Sequence, residues 1–228
     1  MLEILYEVGP TLAVNKPSGL LTQAPKGIDS LEVQVKQYLR GADDGVVGQE
    51  TNTYLGVPHR LDRPVSGVIL FGKTTRATHR LSEQFEARQI DKTYWALVEG
   101  VIEEESGRWI DYMRKVPNRP IAEIVPPINP DAREAILHFT VKQRAADWTW
   151  LEIKLETGRM HQIRLQSSVH GHPILGDAMY GSTRLFGEPF EDERLRAIAL
   201  HAHSITFTDP TTKEAVTLEA PLPDTWKQ

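Results

Sequence analysis

The stretch "VSGVILFGK" (65–73) constrains the fold more than any other part of the chain. Val68, Ile69, Leu70 and Phe71 are consecutive, apolar and partly β-branched, so the segment fits a strand covered on both faces. Such a strand needs neighbours on both edges and layers above and below it, which a chain of 228 residues can supply. Immediately before it stands "HRLDRP" (59–64), with a lone acid, Asp62, between Arg60 and Arg63. A carboxylate at the mouth of a buried strand is held rigidly and partly desolvated, and a nearby arginine keeps it ionised. On these residues alone two readings stand: a turn aspartate capping its own loop, or a reacting group with cations placed for an anionic partner.

Alternation and helical spacing organise the rest. "LEVQVKQYLR" (31–40) places Leu31, Val35, Tyr38 and Leu39 on one helical face, with Asp29 or Ser30 as N-cap. "GADDGVVGQETNTYLG" (41–56) reads as a loop. "TTRATHRLSEQFEARQ" (74–89) reads as an amphipathic helix with Ala77, Leu81 and Phe85 four residues apart. "KTYWALVEG" (92–100) is a strand ended by glycine, whereas 106–130, rich in proline, reads as an irregular excursion. "AILHFTVKQ" and "WTWLEIKLE" alternate, and "RAAD" between them predicts an antiparallel hairpin. "GRMHQIRLQSSVHG" (158–171) reads as a helix closed by Gly171, and "LHAHSITFTDPTTKEAVTLEAP" as two strands around an Asp-Pro turn. Strands outnumber helices without strict alternation, which predicts an α+β fold. No compositional break demands a second domain, so residues 1–228 are expected to form one.

Charge and composition narrow the chemistry. The chain has no cysteine, which excludes disulfides and thiolate catalysis and fits a reducing compartment. No apolar run reaches the ~18–20 residues of a membrane span, and "MLEILYEVGP" lacks the pattern of a signal peptide, so a cytoplasmic protein is expected. The net charge is −5, yet from 58 to 95 seven Lys/Arg face four Asp/Glu, a local excess of 7 − 4 = +3. A basic surface on an acidic body is compatible with phosphate contacts. The histidine spacing fits no metal motif, and neither a phosphate loop nor a G-x-S-x-G nucleophile is present. A glycoside hydrolase would need a partner acid for Asp62, and the nearest candidate, Asp177 in "LGDAMYG", reads as a turn residue. Tyr94 on its own reads as a core aromatic. "TGRMHQIRLQ" (157–166) concentrates Arg159, His161, Gln162 and Arg164 after an apolar strand; on its own it reads as a solvated helix start.

In combination these segments are specific. "HRLDRPVSGVILFGKT", "KTYWALVEG", "TGRMHQIRLQSSVHGHPILGDAMYG", "LHAHSITFTDPTT" and "APLPDTW" occur in the order and spacing of the RluA-type pseudouridine synthases, and "NKPSGLLT" (15–22) resembles that family's early K-P-x-G segment. The likeness runs from about residue 10 to about 226 and resembles the short members without an S4-type domain. It implies a mixed, mainly antiparallel central sheet flanked by helices and loops, with the active-site cleft across the sheet. It further implies isomerisation of a uridine in structured tRNA or rRNA and no metal or organic cofactor; a monomer is expected.

By the same resemblance Asp62 is the essential residue, Tyr94 stacks near the base and is a candidate for removing the C5 proton, and Arg164 pairs with the aspartate. Arg60 is a candidate to fill the space of the flipped nucleotide, and His59, Arg63, Arg159, His161 and Gln162 are candidates for RNA contact. Whether Asp62 attacks C1′, attacks C6 or acts as a base at C2′ stays open. The alternative is a non-catalytic relative that binds or folds RNA. Three positions depart from the usual pattern: Val65 for a small hydroxyl residue, Met160 for Thr or Ser, and Gln166 for histidine.

Overall fold

The computed structural model describes residues 2–41 and 53–226, so most of the loop expected over 41–56 lies outside the described residues. The architecture is α+β with a mixed, mainly antiparallel sheet. Contacts divide the chain into two compact units, Met1–Asp91 with Ala202–Pro223, and Lys92–His201 with Asp224–Gln228.

The first unit is built on the apolar run. Strand β1 (Glu3–Val8) forms a hairpin with β2 (Thr11–Lys16), and β2 pairs antiparallel with β3 (Ser66–Gly72), which is buried at every position. Val68 and Leu70 join Ala13, Leu81, Ile205 and Phe207 in one apolar cluster, while Ile69 and Phe71 on the opposite face are equally buried. Layers on both faces were what the run demanded. The helix α1 (Leu31–Leu39) starts where Ser30 Oγ accepts from Val33 N, and it buries Leu31 and Val35. Tyr38 departs from the expected face: it is exposed and its hydroxyl donates to Glu7. In α2 (Thr75–Glu86), capped by Thr74, Ala77 and Leu81 are buried as their spacing predicts. Late in the chain β9 (Leu200–Thr208) turns at Asp209, whose carboxylate accepts from Thr211 N and Thr212 N, and returns as β10 (Ala215–Glu219). Strand order in this unit is β1-β2-β3-β9, with β10 on β9. Gly67 is required there, because its φ is +120° and a Cβ would stand 2.2 Å from Ala202 O.

In the second unit β4 (Asp91–Glu99), which begins at the unit boundary, pairs with β8 (Trp148–Leu155), and β8 pairs with β7 (Arg133–Arg144) in the expected hairpin. The order continues to two strands that the sequence did not suggest, β5 (Ser106–Lys115) and β6 (Ala122–Ile124). The expected irregular excursion over 106–130 is therefore corrected. Its pattern is masked because the inward face reads Gly107, Trp109, Asp111, Met113, so two of four positions are not apolar. Gly107 is open to the Phe139 ring, and Asp111 accepts from Gln166 Nε2 at 2.8 Å while facing His170 Nε2 at 3.1 Å.

Helix α3 (Gln162–Val169) is shorter than the segment expected to be helical. His161 sits just before it with φ 55° and ψ 25°, a left-handed conformation that no α-helix continues through. Nor is its start solvated: Gln162 through Ser167 are all buried.

Candidate active site

Asp62 belongs to the first unit, on a turn closed by Val65 N donating to Asp62 O at 3.1 Å. It is half-buried, and the segment 16–22 holds its backbone neighbours from both sides. Thr22 Oγ1 donates to Leu61 O at 2.8 Å and accepts from Leu61 N at 3.2 Å in a buried setting. On the other side, Arg63 O accepts from Gly19 N at 2.9 Å and from Lys16 Nζ at 3.1 Å, and Arg63 Nε donates back to Gly19 O at 2.9 Å. Lys16 is fully buried and also donates to Pro17 O at 2.9 Å. Burial pulls its pKa down to about 7, opposed by the negative charge of Asp62 and reinforced by the positive charge of Arg63. The K-P-x-G segment therefore acts as a clamp on the aspartate turn.

The remaining polar residues of H-R-L-D-R divide into two kinds. His59 Nε2 accepts from Leu70 N at 2.9 Å, and its ring stacks on Phe85 with centroids 4.4 Å apart. His59 and Arg63 thus both make bonds that fix the strand and the turn. Arg60 is exposed. Val65, the first departure from the family pattern, is 3% exposed and serves through its backbone and its apolar side chain.

The other candidates lie in the second unit. Tyr94 pairs with Ile153 across β4 and β8 and is half-buried. The two-residue period puts it on one face with Lys92, Ala96 and Val98, of which Ala96 and Val98 are fully buried. Burial also lowers the pKa of Lys92.

Arg164 sits in the buried stretch of α3. Its Nε donates to Asp177 Oδ2 at 2.6 Å and its Nη2 to Asp177 Oδ1 at 2.8 Å, with the two side chains 4% and 1% exposed. Asp177 is a turn residue in its backbone, as expected, since its carbonyl accepts from Tyr180 N and Ser182 N. Its carboxylate has a second occupation that the sequence did not announce.

Gln162 turns its amide into the fold: Oε1 accepts from Thr157 Oγ1 at 2.8 Å and Arg159 N at 2.9 Å, and Nε2 donates to Ile136 O at 3.0 Å. Arg159 Nε donates to Glu134 O at 2.9 Å. His161 Nδ1 meets the Tyr180 hydroxyl at 2.8 Å, and that hydroxyl also accepts from Ala122 N at 2.9 Å. Gln166, a second departure, fills its place by donating to Asp111 and to Ala135 O, and Met160, the third, packs on the cluster of Met113, Leu165 and Tyr180.

The structure thus gathers Arg60, Asp62 and Arg63 on one turn, and Arg159, His161, Gln162 and Arg164 around the start of α3. Lys16, Thr22, Asp177 and Tyr180 are residues to which the sequence alone assigns no part in the site. All four lie in segments that carry the family resemblance, Lys16 and Thr22 in "NKPSGLLT" and Asp177 and Tyr180 in "LGDAMYG", and of these Asp177 reads there as a turn residue. Among the described residues no cluster of three or more His, Asp or Glu is placed to hold a metal, and no helix is long and apolar enough to cross a membrane.

Residues 10–168 match the family of RNA pseudouridylate synthases, and the chain belongs to that family. It is accordingly an RNA pseudouridine synthase, an isomerase. Among its relatives, the tRNA pseudouridine synthase C of Vibrio parahaemolyticus is 34% identical over 242 residues, covering 100% of this chain and 93% of that protein. The ribosomal large subunit pseudouridine synthase D of Xanthomonas campestris pv. campestris is 31% identical, covering 98% of this chain and 66% of that protein. An uncharacterized RNA pseudouridine synthase of Synechocystis sp. is 33% identical, and the chain likewise spans 66% of its length. In fold, human RNA pseudouridylate synthase domain containing 4 superposes with a TM-score of 0.76 at 22% identity, covering 99% of this chain and 90% of that one.

Proposed function

We propose that the whole chain works as a single catalytic domain, a cytoplasmic monomer that isomerises one uridine of a structured transfer or ribosomal RNA. In this reading Asp62 is the essential residue, Tyr94 takes the C5 proton, and Arg164 is the catalytic cation. The C1′–N1 bond breaks, the uracil turns over, a C1′–C5 bond forms, and the hydrogen lost from C5 is balanced by one gained at N1. The target must leave its stack first, at a cost of a few kcal/mol. Arg60, exposed beside the aspartate turn, supplies a stacking and phosphate contact that offsets this cost. His59, Arg63, Arg159, His161 and Gln162 shape the surfaces on which the RNA lies.

The observation that carries the reading is the clamp on Asp62. A half-exposed carboxylate whose neighbours on both sides are fixed by buried Lys16 and Thr22 is pre-organised, as a reacting group must be and a solvent-facing turn residue need not be. The names of the Vibrio and Xanthomonas relatives support transfer and ribosomal RNA as the substrates to try. The test is release of tritium from C5-labelled uridine in transcripts of both kinds. Release by the wild type that disappears in Asp62→Ala is the expected result. RNA binding by the wild type without release from either kind would favour a non-catalytic RNA-binding protein.

A further inference from the structure

One short segment makes several contacts with Arg164. Asp177 grips its guanidinium at 2.6 and 2.8 Å, Met179 Sδ lies 3.6 Å from Nη2, and the guanidinium carbon stands over the Tyr180 ring at 5.1 Å from its centroid. Residues 177–180 form a tight turn, with the single 3-10 turn Ala178–Tyr180 ending at Gly181 in the left-handed region (φ 94°). Tyr180 is itself pinned, through its hydroxyl, to Ala122 N and His161 Nδ1.

A carboxylate that accepts two parallel N–H bonds fixes the plane of a guanidinium as well as its position. Here the fork engages the Nε/Nη2 edge, so rotation about the last side-chain bonds would break both contacts. The direction of the Nη1 edge is set in consequence.

We infer that Asp177 is a positioning residue for Arg164, and that the turn Asp177–Tyr180 is a cradle which orients this guanidinium for the isomerisation. The inference rests on the role given to Arg164 above. A plain structural staple would lose stability when altered and would lower the amount of folded enzyme without changing the turnover of what remains folded. A positioning residue changes turnover in the folded enzyme and acts only through its arginine.

The experiment is single-turnover and steady-state tritium release by the full chain carrying Asp177→Asn, Arg164→Lys, or both, corrected for folded fraction by circular dichroism. Asp177→Asn is expected to lower kcat about 10- to 100-fold with KM for RNA unchanged, the size of effect that follows a small misplacement of a reacting group. The double variant is expected to be no slower than Arg164→Lys alone. Wild-type kcat in folded Asp177→Asn, or losses that multiply in the double variant, would overturn the inference.

If Asp177→Asn does not fold, Asp177→Glu decides. It keeps the charge and moves the fork by one methylene, so lowered kcat with unchanged KM supports the cradle, and wild-type kcat overturns it. Absence of tritium release from the wild type is a separate outcome that sinks the proposed function instead.

Discussion

Replacing Lys16 by methionine is expected to remove a specific pH dependence of stability. The ammonium is 0% exposed, bonded to two carbonyls, and shifted by burial from 10.5 to about 7. In the unfolded chain a lysine titrates near ~10.4. Between these values the unfolded chain binds more protons than the folded one, so stability rises with pH across that window. The cost of burying the charge is complete below about pH 7 and is gone above about pH 10.5. That difference corresponds to about 5 kcal/mol in all, of which about 2 kcal/mol is recovered between about pH 7 and pH 9.

Methionine has a similar length and no charge, and every other titrating group is common to both proteins. The quantity to measure is therefore the stability of the wild type minus that of Lys16→Met, from urea unfolding at several values between pH 7 and 9. It should climb by about 2 kcal/mol over that range. The offset at pH 7 is less informative, because the variant loses two hydrogen bonds from a charged donor, about 1.5–3 kcal/mol each, while shedding a desolvation cost of similar size. Parallel pH curves would refute the reasoning. Such parallel curves are what an attraction by Asp62 strong enough to offset burial would give, because a folded pKa at or above ~10.4 leaves both states protonated throughout that range.

Three further outcomes are expected. Tyr94→Phe should fold and bind RNA as the wild type does but lose turnover in the tritium assay; normal turnover would remove the hydroxyl from the chemistry. Arg164→Ala should lose about 3–5 kcal/mol of stability, because the Asp177 carboxylate, 1% exposed, is left buried without its fork, and thermal unfolding at equal pH measures it. Gly67→Ala should cost about 3 kcal/mol or more, since a Cβ at φ +120° meets Ala202 O at 2.2 Å, and a melting temperature equal to wild type would contradict the packing of β3 on β9.

Much of the fold was legible because the period of apolar residues survives in the sequence. The burial of Leu31 and Val35 in α1, of Ala77 and Leu81 in α2, and the hairpin of β7 with β8 follow from spacing alone. The failures have local causes. β5 hides because Gly107 and Asp111 occupy inward positions, one vacated for Phe139 and the other satisfied by Gln166. The helix before Gly171 was read too long because a single left-handed residue, His161, is invisible to a periodicity argument. In the same way Tyr38 fits the apolar face by spacing, but its hydroxyl reaches Glu7 and keeps it outside.

The candidate site shows a deeper limit. The neighbours of Asp62 in its motif are also tied into the fold, Arg63 through Gly19 and His59 through the backbone of Leu70. The side chains that fix the site come from segments far along the chain: Lys16 is 47 residues from Arg63, and Thr22 is 39 from Leu61. Asp177 reaches Arg164 across 13. A motif names the group that reacts, because chemistry demands that residue type. It does not name the groups that hold it still, because any buried donor or acceptor at the right distance will serve. Buried ionic side chains such as Lys16 and Asp177 are costly to keep in a core unless their partners need them. Their burial, which only the fold reveals, is the observation that separates the scaffold of this site from its surface.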